Sequence, residues 1–226
     1  MRCIVLFDLD GTVLTFDGAG PGPGRRSLDR AMADLYAFEH ATDGVRVAGG
    51  TDRGLARTLL RRAGIPDDAG AIDRLLATYL VHLESSLRER RYRPIGDVIG
   101  AVATLLKHGA VVGVATGNVR IGARLKLESA GLGSTFELDR GGFGCDAEPR
   151  AEIVRTAVER CSAFAGAGAK VVVVGDTDHD VRAARAVGAR VVGLAVNAER
   201  RAELESAGAD AIVDTCGEAL VCEVLR

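Results

Sequence analysis

Two aspartates close the first apolar run of the chain, in the segment Asp8-Leu9-Asp10-Gly11-Thr12. Side chains two residues apart lie on the same side of a strand, so the two carboxylates would lie side by side. Burying both without a cation would be costly, which indicates a metal ion or a basic group nearby. The alternative is an acidic turn that caps the next segment, because Asp and Gly are common turn residues.

A second polar segment, Thr116-Gly117-Asn118, ends another apolar run just before a helical pattern. A hydroxyl, a free backbone N–H and a carboxamide at the start of a helix form a ready anion site. The alternative is that Thr116 or Asn118 only caps the helix.

A third polar segment, GDTDHD at positions 175–180, follows a third apolar run. Asp176 and Asp180 are four residues apart, so they project to one face if a helix begins there. Mg²⁺ prefers oxygen ligands and commonly combines one or two carboxylates with a substrate phosphate. The alternative is an Asp-rich helix start stabilised by the helix macrodipole.

Short apolar runs recur along the chain and alternate with helical patterns, which predicts an α/β fold with a parallel sheet between helices. Ligands gather outside the carboxyl ends of parallel strands, so the three polar segments should meet there. A metal, a phosphoryl group and a carboxylate nucleophile are the natural occupants of such a site. The runs predicted as strands are Cys3–Phe7, Val111–Ala115, Val171–Val174, Val191–Val196 and the weaker Ala211–Val213.

One stretch, residues 15–93, interrupts the alternation with helical patterns and no strand pattern. An apolar stripe from Ile72 to Leu83 covers about three turns of one helix. The stretch Gly18–Gly24, rich in Gly and Pro, predicts a linker or turn without regular structure. We therefore predict an α/β core domain of residues 1–14 and 94–226, with an all-helical domain of residues 15–93 inserted after the first strand.

The composition narrows the class of protein. The chain has 226 residues, 47% of them apolar, and a net charge of −2, without the basic excess that is typical of nucleic-acid binders. No segment reaches the roughly 18 apolar residues of a membrane span, and the first apolar run is shorter than the core of a signal peptide. Five cysteines without C-x-x-C spacing favour a reducing compartment. We expect a cytoplasmic protein that binds neither nucleic acid nor membrane, whereas the sequence predicts no oligomeric state.

The segments DLDGT, TGN and GDTDHD, each after an apolar strand and in this order, resemble the motifs of the haloacid dehalogenase (HAD) superfamily. The helical insertion after the first motif is similar to the cap of its phosphoglycolate-phosphatase-like branch. This resemblance implies a Rossmann-like core and a Mg²⁺-dependent phosphatase that acts on a small phosphorylated metabolite.

The resemblance also implies a role for each motif residue. Asp8 would attack phosphorus and form an aspartyl-phosphate, while Asp10 would protonate the leaving oxygen and then activate water. The carboxylates of Asp8 and Asp176 and the backbone carbonyl of Asp10 would hold Mg²⁺, with Asp180 supporting the metal shell or the basic residue. Thr116 and the backbone of Gly117 would bind the phosphoryl oxygens of the substrate phosphate, with Asn118 supporting.

The basic residue that the family usually supplies, often in a Lys-Pro pair, has no obvious lysine here. Lys170 precedes its strand and would lie roughly 17–20 Å from Asp176, at about 3.3 Å per residue. Lys126 lies about two helical turns past Asn118, roughly 12 Å along the axis. Both lysines are therefore set aside at this stage.

The family's Lys-Pro position corresponds to Glu148-Pro149-Arg150 in this chain. Arg150 falls in the first turn of the helix that Pro149 opens. We therefore predict that Arg150 neutralises Asp8 and the phosphate. The alternative is an exposed arginine at a helix start.

The loop Gly49–Arg53 is similar to a cap loop that approaches the substrate in this branch. Arg53 could bind a substrate carboxylate or phosphate, but the favoured interpretation is a helix start capped by Thr51 or Asp52. Arg25 is expected on a solvated face.

Other functions would use the same residues differently. A sugar phosphomutase of this fold would use Asp8 and Asp10 but return the phosphoryl group to a sugar. A catalytically inactive relative would only bind a ligand, and the unusual basic residue is the one feature that favours it. A receiver domain also carries clustered acids and Mg²⁺, but it would be shorter and needs no helical insertion.

Overall fold

The computed structural model describes residues 3–18, 20–166 and 168–226. The strands of the main sheet are β1 (Cys3–Phe7), β4 (Val111–Val114), β5 (Lys170–Gly175), β6 (Arg190–Leu194) and β7 (Ala211–Val213). They pair in parallel in the order β4-β1-β5-β6-β7. The helices that alternate with them are α4 (Val98–Lys107), α5 (Arg120–Ser129), α6 (Arg150–Ala165), α7 (Asp178–Ala186), α8 (Ala198–Ala207) and α9 (Glu218–Leu225). The predicted α/β fold with a parallel sheet is confirmed.

The apolar runs form strands because successive side chains enter two different apolar layers. On β1, Val5 and Phe7 pack into one layer, whereas Ile4 and Leu6 pack into the other. Strands buried on both faces read as continuous apolar runs rather than alternating ones. The run at β1 therefore carries the chain to the sheet edge at Asp8.

Three helices lie between two short strands that pair with each other. These elements are β2 (Leu14–Thr15), α1 (Pro23–Tyr36), α2 (Asp52–Arg62), α3 (Ala69–Glu89) and β3 (Arg93–Pro94). β2 and β3 are antiparallel, with Leu14 opposite Pro94 and Thr15 opposite Arg93. The prediction that residues 15–93 hold no strand pattern was wrong at both ends, because a strand of two residues has no period to detect.

Two predicted boundaries differ from the structure by two residues. Helix α1 begins at Pro23, so the last two residues of Gly18–Gly24 are helical. Proline fits there because the first turn of a helix leaves its N–H groups unpaired; Ala19 lies outside the described residues. The predicted strand that ran to Val196 ends at Leu194, and Val196 is exposed.

One continuous apolar cluster joins the sheet to the inserted helices. It contains Phe7 and Val174 of the sheet together with Met32, Leu59 and Leu83 of the three inserted helices. The insertion is therefore packed on the core that the sheet also uses. Among the described residues, no helix combines the length and the apolar character needed to cross a membrane.

Candidate active site

The three polar motifs meet at the carboxyl edge of the main sheet. Strand β1 lies between β4 and β5, so the segments that follow these three strands are neighbours. They line a cavity of about 310 Å³ together with part of the insertion. Its walls include Asp8, Asp10, Thr116, Gly117, Asn118, Arg150 and Asp176. The remaining predicted site residue, Asp180, is buried beside the cavity.

Asp8 is the buried carboxylate at the end of β1, with 6% of its surface exposed. Its backbone N–H donates to the Val174 carbonyl over 2.9 Å, which extends the pairing of β1 with β5. Burial raises the pKa of Asp8 to about 6, against the opposing charge of Arg150 and with the added repulsion of Asp180 and Asp10. A carboxylate that is this costly to ionise needs positive charge beside it.

Arg150 supplies positive charge to Asp8. It is the first residue of α6, and Pro149 is the N-cap before it. Its Nη2 lies 2.7 Å from Asp8 Oδ1 and 2.5 Å from Asp180 Oδ1, and its side chain is only 9% exposed. The alternative of an exposed arginine at a helix start is therefore wrong, whereas the role of Arg150 in a reaction stays a prediction.

Asp176 approaches the first motif where that motif has a glycine. Gly11 has φ +86°, and a Cβ on it would lie 2.3 Å from Asp176 Oδ2. Thr12 Oγ1 donates to Asp176 Oδ1 over 3.3 Å. Burial first, and then the charges of Asp180 and Asp8, raise the pKa of Asp176 well above its usual range. Glycine in the DLDGT segment thus makes room for the carboxylate of another motif.

Three carboxylates form a cluster that fits a hard cation. Asp8, Asp176 and Asp180 each offer an oxygen, and these oxygens lie within 4.8 Å of one another. Oxygen ligands suit Mg²⁺. The pKa values of Asp8 and Asp176 are raised first by burial and then by neighbouring carboxylates, and a divalent cation bound there would favour their ionised forms. Asp180 already accepts hydrogen bonds from Arg150 and from Thr177. Asp8 and Asp176 are therefore the better candidates for ligands, with Asp180 beside them.

The carboxylate of Asp10 points toward α5 and has a different set of partners. Its Oδ2 accepts hydrogen bonds from Lys126 Nζ and from Asn118 Nδ2, both over 2.7 Å. The Tyr92 hydroxyl is a further donor to this carboxylate. Burial raises the pKa of Asp10, but the charge of Lys126 and these hydrogen bonds outweigh it and hold the pKa below its usual value. Asp8 and Asp10, two residues apart, thus have pKa values shifted in opposite directions.

The estimate that Lys126 lies too far from the site was wrong, because its ammonium group pairs with Asp10, although the cation beside Asp8 is Arg150. A helical side chain points back toward the N-terminus of its helix, so the long side chain of Lys126 spans the distance that the axial estimate left open. Its Nζ lies 2.6 Å from Asn118 Oδ1, and its side chain is 7% exposed. The available signal was helical spacing within α5, where Lys126 shares the buried face with Gly122, Ala123 and Leu127.

The Thr116–Asn118 segment does not cap α5. The N-cap of α5 is Val119, which makes no side-chain cap, while Asn118 Nδ2 donates to Thr116 Oγ1 over 2.8 Å. The segment is instead held by the insertion. The Asp52 N–H donates to the Gly117 carbonyl, and Asp52 Oδ2 accepts from the Val119 N–H, both over 2.8 Å.

The contact between Gly117 and the insertion is close. A Cβ on Gly117 would lie 2.3 Å from the Gly50 carbonyl oxygen, so any larger residue would push the Gly49–Arg53 loop away. Asp52, at the start of α2, is 7% exposed. Burial raises its pKa to about 6, although the charge of Lys126 opposes this.

Among other residues of the insertion, Thr51 and Arg53 stabilise the start of α2, whereas Arg25 lines the cavity. Thr51 caps α2, since its Oγ1 accepts from the Gly54 N–H over 3.1 Å, and Arg53 pairs with Asp73 at 2.7 Å. Arg53 thus has the position of a helix-start residue, as the favoured interpretation held. The expectation that Arg25 is solvated was wrong. Arg25 lies on the cavity wall and its Nε donates to Thr42 Oγ1 over 2.9 Å, because the segment after α1 folds over that face.

Arg200 is a cavity residue that the sequence did not indicate. It lies on α8, with Nε 3.5 Å from Asp176 Oδ2 and Nη1 2.6 Å from Glu203 Oε2. Its segment is separated from every motif in the chain, so only the folded structure brings it to the site.

Known proteins are similar to this chain over nearly its whole length. The profile of the haloacid dehalogenase-like hydrolase family matches residues 4–188. The probable phosphatase IndB of Dickeya dadantii is 28% identical over 220 residues, which cover 96% of this chain and 92% of that protein. These matches confirm the resemblance that the three motifs indicated.

Solved structures share the fold. A hydrolase from Pseudomonas syringae has a TM-score of 0.70 at 21% identity, covering 93% of each chain. A putative beta-phosphoglucomutase from Thermotoga maritima has a TM-score of 0.63 at 22% identity, covering 100% of this chain and 98% of its own. At these identities the likeness concerns the fold.

Proposed function

Because this chain belongs to the haloacid dehalogenase-like hydrolases, we propose that it is a phosphatase that hydrolyses a small phosphate monoester through a phosphorylated Asp8. The observation that carries the proposal is the separation of two neighbouring carboxylates. Asp8 is paired with Arg150, whereas Asp10 is paired with Lys126 and Asn118. Environments that push the pKa values of two acids apart are typical of acids with different catalytic roles.

In the first step, an oxygen of Asp8 attacks phosphorus while the bond between phosphorus and the ester oxygen breaks. The leaving oxygen takes a proton from Asp10. A phosphate dianion beside Asp10 raises its pKa and thereby favours the protonated form that this step needs. Thr116 and the Gly117 backbone bind and orient the phosphoryl oxygens, with Asn118 in support through its hydrogen bond to Thr116 Oγ1.

In the second step, Asp10 takes a proton from water while the water oxygen attacks phosphorus. The bond between phosphorus and Asp8 breaks, which restores the carboxylate and releases inorganic phosphate. Arg150 lies between Asp8 and Asp180, where its charge stabilises the carboxylate that forms again.

The donor set supports Mg²⁺ as the cofactor, held by the carboxylates of Asp8 and Asp176 and by the Asp10 backbone carbonyl, with Asp180 in support. Bound there, the ion would neutralise charge on the phosphoryl oxygens during in-line displacement.

The insertion is proposed as a cap domain of residues 15–93 on a core of residues 1–14 and 94–226. Its loop Gly49–Arg53 touches the phosphate-binding segment at Gly117, so its closure would exclude water from the site. A cavity of about 310 Å³ suits a small phosphorylated metabolite. The cytoplasmic location stays a prediction from the sequence.

A sugar phosphomutase is the second candidate, supported by the similarity of the fold to that of a putative beta-phosphoglucomutase. It would use the same two aspartates and return the phosphoryl group to the sugar. An inactive relative is less supported, because Arg150 contacts Asp8 and the unusual basic residue was the feature that favoured that hypothesis.

The test is phosphate release from a panel of phosphate monoesters, with Mg²⁺ and with chelator. We expect release by the wild type with Mg²⁺ only, none by Asp8→Asn, and normal release by Asp139→Asn, a matched change at an exposed aspartate. Isomerisation of a sugar phosphate without phosphate release, followed by ³¹P NMR, would identify a mutase instead.

A further inference from the structure

We propose that Lys126 is a positioning residue that fixes the carboxylate of Asp10 for proton transfer to the leaving group. The inference rests on the phosphatase proposal and concerns a residue outside the three motifs. Lys126 also lines the cavity, and we place its action in its contacts with Asp10 and Asn118.

The contacts of Lys126 close a triangle of three side chains. Its Nζ lies 2.7 Å from Asp10 Oδ2 and 2.6 Å from Asn118 Oδ1. Asn118 Nδ2 completes the triangle with a hydrogen bond of 2.7 Å to the same Asp10 oxygen. Lys126 therefore orients the Asn118 amide, and both donors together hold Oδ2 of Asp10.

The location of Lys126 is difficult to explain by packing alone. Its side chain is 7% exposed, and burying an ammonium group is costly unless it is paired. Among the described residues, Asp10 is the one carboxylate within ion-pair distance of it. The Tyr92 ring lies 5.5 Å from Nζ, so an aromatic face and the carboxylate together keep the side chain extended toward the site.

A fixed carboxylate matters because proton transfer needs one oxygen at hydrogen-bond distance from the reacting atom. A free carboxylate can turn about its terminal bond and present either oxygen. Lys126 and Asn118 engage Oδ2, and the Tyr92 hydroxyl adds a hydrogen bond to the same carboxylate, so Oδ1 is the oxygen that this arrangement presents to the ester oxygen of the substrate. Removing Lys126 should therefore weaken the step in which Asp10 donates a proton.

The experiment compares two esters that differ in how much they need that proton. An alkyl phosphate has a poor leaving group that must be protonated, whereas p-nitrophenyl phosphate leaves as a stable anion. The quantity to compare is kcat/KM, because it reports the steps up to release of the first product. For Lys126→Met we expect roughly a 100-fold loss on the alkyl ester and a loss below about fivefold on the aryl ester.

Three further variants separate positioning from folding. Lys126→Arg, which keeps the cation, should recover part of the loss on the alkyl ester. Lys107→Met, at an exposed lysine, should behave as the wild type. In an Asp10→Asn background, Lys126→Met should bring no further loss, because its effect is exerted through Asp10. Where Lys126→Met does not fold, Lys126→Gln takes its place in the same comparison.

Equal losses on both esters, or a full additional loss in the Asp10→Asn background, would overturn this inference alone. Absence of phosphate release by the wild type from every ester would overturn the proposed function, and the inference with it.

Discussion

Replacement of Arg150 by methionine would leave two buried carboxylates without their shared cation. Asp8 and Asp180 both lie within 2.7 Å of the guanidinium, and their side chains are 8% and 2% exposed. Breaking a buried ion pair by removing one partner costs about 3–5 kcal/mol. In a chain of this length each kcal/mol corresponds to about 2–4 °C, so the melting temperature should fall by about 6–20 °C.

Activity should fall for a separate reason. The charge of Arg150 is the main factor that opposes the raised pKa of Asp8, so its removal raises that pKa further and leaves less of the nucleophile ionised at neutral pH. Loss of one group that stabilises transition-state charge typically lowers kcat by about 10²–10³-fold. Arg150→Lys keeps the charge but not the two-sided contact, and it should lie between the wild type and Arg150→Met.

The assay pairs thermal unfolding in Mg²⁺-free buffer with phosphate release in the presence of Mg²⁺. Arg155→Met is the matched control, because Arg155 lies on the same helix, is exposed and pairs only with the exposed Glu152 among the described acids. It should change neither quantity. A melting temperature for Arg150→Met within about 2 °C of the wild type, with unchanged phosphate release, would refute the assignment of Arg150.

Three other perturbations test different parts of the site. Mg²⁺ should raise the melting temperature of the wild type and of Asp178→Asn but not of Asp176→Asn, because Asp176 belongs to the buried carboxylate cluster; equal shifts in both variants would contradict the proposed ligand set. Folding raises the pKa of Asp52 from 3.8 to about 6, so its protonated form stabilises the fold below pH 4 and this stability is lost as the pH rises through 6. The measurement is the free energy of unfolding in urea at pH 4 and at pH 7. Asp52→Asn should reduce the decrease between the two pH values by at most about 3 kcal/mol relative to the wild type. A decrease equal to that of the wild type would contradict the raised pKa of Asp52. Gly117→Ala should raise KM about tenfold or more, since its Cβ would lie 2.3 Å from a carbonyl oxygen of the insertion loop. Gly122→Ala, with its nearest atom at 3.5 Å, should leave KM unchanged and add about 0.5–1 kcal/mol of stability; similar KM values for the two variants would show that the loop contact does not affect binding.

The sequence predicted the parts of the site that depend on local order. An apolar run buried on both faces must end at the sheet edge, and that edge places Asp8 and Asp176 near each other. The placement of these two aspartates needs only the strand and helix periods and the topology of a parallel sheet. Arg150 was assigned through the resemblance to the family's Lys-Pro position, with Pro149 marking the start of its helix.

The remaining features depend on tertiary contacts that no local period encodes. Lys126 is a separate case, because its helical spacing was readable and the error was to measure distance along the helix axis without the reach of its side chain. The contact of Asp52 with Gly117 and the approach of Arg200 to Asp176 join segments that are far apart in the chain. The pairing of β2 with β3 was missed because each strand has only two residues and so shows no period.

The β2–β3 pair has a consequence for how such a protein can diversify. It brings the two ends of an inserted segment of about 80 residues side by side, so the segment joins the sheet domain at one place. Segments with adjacent ends are the ones that chains gain, lose and exchange most readily. A new segment joined at Leu14 and Pro94 would leave the order of the five parallel strands unchanged. It would have to supply an apolar face matching the one that Met32 and Leu83 now provide. The loop in the place of Gly49–Arg53 could then change while the aspartates stay in place.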